Sequence, residues 1–155
     1  MKVLSIESIE VGNDDLEALV RVLTLELMRT SAVPELAERA VAFLPGLERH
    51  SCENDANARF IDELRDTETA HLLEHITVEL MALAGSPRSL QARTHWDFSR
   101  DGRGVFRLRI AFDDDLVALG ALKEADLVVD WLYTGVAAPS LESVIERLRR
   151  LREAD

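Results

Sequence analysis

The chain has 155 residues, 29 acidic and 18 basic, and a formal net charge of −11. Such a surface repels phosphate backbones, which excludes nucleic acid as the main partner, while 47% hydrophobic and 30% charged residues describe one globular domain, not a disordered chain. Cys52 is the single cysteine, so no disulfide framework is expected and a reducing, cytoplasmic setting fits.

In chain order, MKVLSIESIEV places acids within its apolar run and offers no cleavage site, so it reads as a strand over residues 2–11 and not as a signal peptide. No apolar run reaches the roughly 18 residues of a membrane span, and no membrane partner is expected. Gly12-Asn13-Asp14-Asp15 is a turn. Residues 16–28 carry two periods. Leu16, Leu19, Val20, Leu23 and Leu27 have helical spacing, with Asp14 and Glu17 as a capping box, yet Val20-Arg21-Val22 and Leu23 to Leu27 also alternate. Propensity favours a helix there.

Pro34 opens a helix to Leu44, ended by Pro45-Gly46. Residues 48–57 are polar and loop-like, and 58–65 read as a short helix. The strongest helix, 67–84, stops at Gly85 before Pro87. Residues 90–98 and 104–112 flank a turn cluster at 99–103 and predict a hairpin. A helix runs from Asp113–Asp115 to Tyr133, its acids suited to the N-terminus. Gly135 and Pro139 bound a linker, and an arginine-rich amphipathic helix covers 140–153. Residues 1–133 thus form the main unit and 134–155 a linker with a terminal helix. Strands in hairpins predict an α+β fold, with a small, mostly antiparallel sheet covered by helices on one face.

The chemistry concentrates in His71-Leu72-Leu73-Glu74-His75, an H-x-x-E-H run. Imidazoles at i and i+4 stand about 6 Å apart along a helix and can reach one Zn²⁺. Leu72, Ile76, Leu80 and Leu83 mark the core face, with the histidines on an adjoining flank. Glu74 is the candidate general base, taking a proton from a water polarised by the metal. Glu79 falls near the apolar stripe and needs a partner if desolvated. It stands about 12 Å along the axis from His71, too far to share the metal, and reads as an acceptor for His75 or an ion-pair partner. The third ligand must come from another element, with Glu124, His50, Glu26 and Asp97 as candidates. His50 and Cys52 form an H-x-C pair able to ligate zinc, although a buried turn after a helix is the simpler reading.

Leu44-Pro45-Gly46-Leu47-Glu48-Arg49-His50-Ser51-Cys52 resembles the L-P-G-L-x-x-H-x-C segment of the N-terminal domain of cyanophycin synthetases. Phe60-Ile61-Asp62-Glu63-Leu64, then His71 to Leu80 with Ala84-Gly85, continue the resemblance over about residues 1–133. The sequence departs from it at Glu53 to Asn57, where the family has a glycine-rich loop, and at Ser86 to Gln91. Those synthetases add ligase domains for which 155 residues leave no room, and no G-x-x-x-x-G-K-[ST] loop occurs, so ATP-dependent ligation is not expected. The resemblance implies a domain that holds an aspartate–arginine polymer and, in some members, a zinc peptidase site that trims it. The helix also resembles the site helix of pitrilysin-type peptidases. There a glutamate on a later helix completes the zinc site, which singles out Glu124, and the opening hairpin favours a strand at 16–28. The expected function is zinc-dependent hydrolysis of peptide or isopeptide bonds. The alternative is a non-catalytic module that binds a peptide or a partner protein. An arginine-bearing polypeptide suits the acidic surface, and a homo-oligomer is compatible with the composition. Arg107 and Arg109 share one strand face, and the simplest role for Asp113-Asp114-Asp115 is a helix cap.

Overall fold

The computed structural model describes residues 1–52 and 58–154. The loop expected over 48–57 therefore lies in part, and the family departure at 53–57 entirely, outside the described residues. Strands β1 (Leu4–Val11) and β2 (Asp15–Val22) form a hairpin. It is closed by the Gly12 N–H donating to the Asp15 carbonyl at 2.8 Å. The period of two prevails in β2: Leu16, Ala18, Val20 and Val22 are buried on one face, and Glu17 and Arg21 lie on the other. The helix that propensity favoured at 16–28 does not form. A strand flanked by two partners satisfies its backbone and buries its β-branched residues, and this tertiary gain outweighs local preference. Only a 3-10 turn, Leu25–Leu27, follows.

Helix α1 spans Leu36–Phe43 and α2 spans Thr69–Leu83. The short helix expected at 58–65 is reduced to a 3-10 turn, Phe60–Asp62. The second hairpin pairs β3 (Ala92–His95) with β4 (Val105–Ala111). Its strand is shorter than the expected 90–98, because Phe98–Asp101 forms one helical turn, α3, whose Arg100 N–H donates to the Asp97 carboxylate. Helices α4 (Asp115–Thr134) and α5 (Leu141–Glu153) complete the chain. Asp114 caps α4, accepting from the Val117 N–H.

The four strands run in the order β1-β2-β4-β3, every neighbour antiparallel. The fold is α+β. The core unites the inward residues Leu16, Val20, Phe106 and Leu108 with Leu72, Ile76 and Leu80 of α2 and Ala121, Ala125 and Val129 of α4, all fully buried. The opposite sheet face is polar, with Arg107 bridging Glu17 and Asp101, and Arg109 pairing with Glu17. Helix α5 packs back onto the rest of the fold. Leu148 and Leu151 lie against Gly120, and the Arg152 guanidinium donates to the Ala84 carbonyl, Ser86 and Asp113. No helix among the described residues is long and apolar enough to cross a membrane. Because β3 sits at the sheet edge and packs beside α2, a groove of about 1040 Å³ opens between them.

Candidate metal centre

Helix α2 is built from good helix formers and ends where Gly85 takes φ +106°, a conformation glycine adopts without strain. Its first turn is tied to the preceding chain by the Thr69 N–H donating to the Met28 carbonyl at 2.8 Å. Three ionisable side chains on it, Glu74, His75 and Glu79, are buried. Buried polar groups need partners, and the segment 44–52 supplies several. Leu44 and Leu47 anchor that segment in the core. The Cys52 N–H donates to the Ala58 carbonyl and the Phe60 N–H to the His50 carbonyl, at 2.9 and 3.0 Å, which hold His50 and Cys52 over the helix. The Phe60 ring stacks on His75, centroids 3.9 Å apart, and presents an edge to His71.

Cys52 Sγ lies 3.8 Å from His71 Nε2 and 3.6 Å from His75 Nε2, and the two Nε2 atoms are 3.0 Å apart. A tetrahedral ion with bonds of about 2.3 Å to sulfur and 2.05 Å to nitrogen spans S···N edges of about 3.6 Å and an N···N edge of about 3.3 Å. The three donors stand close to that figure, and their atoms all lie within 4.8 Å of one another. The His71 ring is set for this role. Its Nδ1 is 2.9 Å from Thr67 Oγ1, whose hydroxyl donates to Glu68, and 3.7 Å from Glu63. With that hydroxyl proton used, Nδ1–H donates and Nε2 is left as a bare donor atom.

Electrostatics fit the same geometry. Burial lowers the pKa of His71, while Glu63 and Glu68 oppose the shift. Burial, with His71 and His50 beside it, brings His75 well below the ordinary imidazole range. Both rings are thus held neutral, the form that ligates metals. Burial pushes the Cys52 thiol up to about 12, with Glu63 and Glu74 adding to the effect. A cation held among the three donors would reverse that balance by stabilising the thiolate. Burial also raises Glu74 to about 7, against a hydrogen bond from Thr94 Oγ1 at 2.8 Å. Glu74 Oε2 is 3.4 Å from His75 Nε2, beside the donor set and facing the groove. Burial would raise Glu79 too, but hydrogen bonds from His50 and Arg88 outweigh it and hold the carboxyl at about 2.

The structure brings His71, His75, Glu74, Glu79, His50 and Cys52 together and leaves Glu124 out. Glu124 sits on α4 with its oxygens 2.7 and 3.1 Å from Arg147 of α5. The atom that stands beside the two histidine nitrogens is the thiol of Cys52, and Glu124 is not among the clustered donors. Glu26 belongs to an exposed 3-10 turn and Asp97 caps α3. His50 turns its Nδ1 to the Nδ1 of His75, the nitrogen facing away from the donor set. Thr67, Thr94, Arg88 and Gly46 were not legible as site residues. Of these, only Thr67, one helical turn before His71, has a spacing that could have pointed to its role.

Residues 18–134, from within β2 to the end of α4, match the cyanophycin synthase-like N-terminal domain family. The chain belongs to this family. A cyanophycin synthetase from Geminocystis herdmanii (strain PCC 6308) is 25% identical over 136 residues, which cover 76% of the chain and 16% of the relative. The chain therefore spans about a sixth of the length of that relative. The family match encloses the whole donor cluster, while β1 and α5 lie outside it.

Proposed function

We propose that this cyanophycin synthase-like N-terminal domain is a zinc-dependent hydrolase of peptide or isopeptide bonds, acting on aspartate–arginine chains. The observation that carries this reading is the convergence of Cys52 Sγ, His71 Nε2 and His75 Nε2 beside a groove, with Glu74 next to them. Three protein donors with room for a fourth are the pattern of a catalytic, not a structural, zinc site. Bound there, zinc supplies Lewis acidity that lowers the pKa of a water towards about 7 and polarises a carbonyl.

The protein's own groups perform the proton transfers. Glu74 accepts a proton from the attacking water as the oxygen adds to the substrate carbonyl carbon. It then delivers that proton to the leaving nitrogen as the C–N bond breaks. A carboxyl group can serve both directions, as the carboxylate that takes the proton and the acid that returns it, and Thr94 fixes the carboxylate from the edge strand. Substrate binding uses the groove. The Ala111 N–H donates to the Gln91 carbonyl, so by antiparallel alternation the backbone groups of Ala92 and Thr94 point away from β4. Acids Asp15, Glu63 and Glu68 and arginines Arg49 and Arg88 line the walls, which suits a chain carrying both carboxylates and guanidinium groups.

The test is metal analysis of protein purified without a metal-affinity tag, followed by hydrolysis assays on cyanophycin and on isopeptide-linked model peptides. One zinc per chain and cleavage by the wild type, with Glu74→Gln keeping the metal and losing turnover, is the expected result. Hydrolysis that persists in metal-loaded Glu74→Gln removes Glu74 from the mechanism. Absence of zinc, with no melting response to metal, leaves a polymer-binding module instead.

A further inference from the structure

Behind the donor set a polar chain continues from His75 into the protein. His75 Nδ1 lies 2.8 Å from His50 Nδ1, and His50 Nε2 lies 2.8 Å from Glu79 Oε1. The Glu79 carboxylate receives both prongs of Arg88, at 2.8 and 3.2 Å. The side chains of His50 and Glu79 are 8% and 2% exposed, so water does not take over their hydrogen bonds. Only one proton fits between two Nδ1 atoms at this distance. A carboxylate gripped by arginine only accepts, so His50 Nε2 carries hydrogen. In a neutral ring His50 Nδ1 is then bare and can only accept. His75 Nδ1 must donate to it, which leaves His75 Nε2 bare at the place it shares with His71 Nε2 and Cys52 Sγ. The reverse tautomer would set a lone pair of His50 against the carboxylate.

We propose that His50 and Glu79 are positioning residues that lock the His75 ring in the tautomer and orientation whose Nε2 faces the metal. The proposal rests on the reading of Cys52, His71 and His75 as a cation site. Gly46 belongs to the same device. A Cβ there would fall 2.7 Å from Glu79 Cδ, so the segment carrying His50 reaches the carboxylate only because position 46 has no side chain.

The test measures zinc and cobalt(II) affinity of the full chain by competition with a chromophoric chelator, for wild type, His50→Asn, His50→Gln and His50→Ala. In His50→Asn the side-chain oxygen hangs from Cγ as Nδ1 does in histidine, so it still accepts from His75. In His50→Gln the amide reaches towards Glu79 and strips His75 of its acceptor. Affinity within about threefold of wild type is expected for His50→Asn, and a loss of about 10–100-fold for His50→Gln and His50→Ala. The thiolate-to-cobalt absorption should shift in the two weakened variants and not in His50→Asn. Metal-free melting temperatures should agree between His50→Asn and His50→Gln, so that a general packing defect cannot mimic the result. If His50→Ala does not fold, the Asn–Gln pair decides alone. Equal affinities in all variants, or His50→Asn as weak as His50→Gln, overturn the proposal. A wild type that binds neither metal instead strikes down the cation site itself, before any variant is compared.

Discussion

Glu124 presents both carboxylate oxygens to Arg147, whose side chain is 54% exposed. A solvent-screened pair of this kind contributes about 0–1 kcal/mol. Glu124→Ala should therefore leave zinc affinity unchanged in a competition titration and lower stability by no more than about 1 kcal/mol in urea unfolding. Cys52 is the opposite case. Its sulfur is the only soft donor in the cluster, and a thiolate bonds zinc far more strongly than a hydroxyl does. Cys52→Ser should cost more than the roughly 100-fold typical of a lost outer-shell contact, read in the same titration. The two variants together decide which residue is the third donor.

Two glycines show how elements reach the spacing the site needs. Gly46 lets segment 44–52 close on Glu79 of α2, and Gly120 lets α5 close on α4, where a Cβ would stand 3.0 Å from Leu148 Cδ2. Gly46→Ala should destabilise the fold by about 1–3 kcal/mol through overpacking and also weaken metal binding, because Glu79 must move away from His50. Gly120→Ala should destabilise by a comparable amount and leave metal affinity intact, since α5 bonds to the far end of α2, at the Leu83 and Ala84 carbonyls. Denaturant midpoints and chelator competition on the same two variants separate packing from positioning.

At the scale of the whole molecule, the donors come from two separate stretches, the segment at 52 and the helix at 71–75. Unfolding scatters them, so a metal held by this cluster would bind the native state in preference. Zinc at about 100 times its dissociation constant should stabilise the fold by about 2.7 kcal/mol. For a chain of this size that is a rise of several degrees in melting temperature. Differential scanning fluorimetry with zinc and then excess chelator checks this. The rise should vanish with the chelator and should be absent in His71→Ala.

By itself the sequence determined the parts whose signal is local. The H-x-x-E-H spacing, the apolar stripe Leu72–Ile76–Leu80 and the stop at Gly85 specify α2, because a helix is a short-range object with a fixed period. The alternation in residues 104–112 marks β4 for the same reason, and the L-P-G-L-x-x-H-x-C run combined with the H-x-x-E-H helix pointed to the family. Residues 16–28 were not decidable locally. Their two periods coexist, and only pairing with β1 and β4 selects the strand. The third donor could not be chosen for a related reason, although the H-x-C pair put Cys52 among the possible ligands. Cys52 lies 19 positions from His71 in the chain, and no spacing rule relates a loop residue to a helix face. Its place depends on the backbone bonds to Ala58 and Phe60 and on the burial of Leu44 and Leu47. The link from His75 through His50 to Glu79 is likewise tertiary. It exists because burial deprives those groups of water and turns them to one another and, for Glu79, to Arg88.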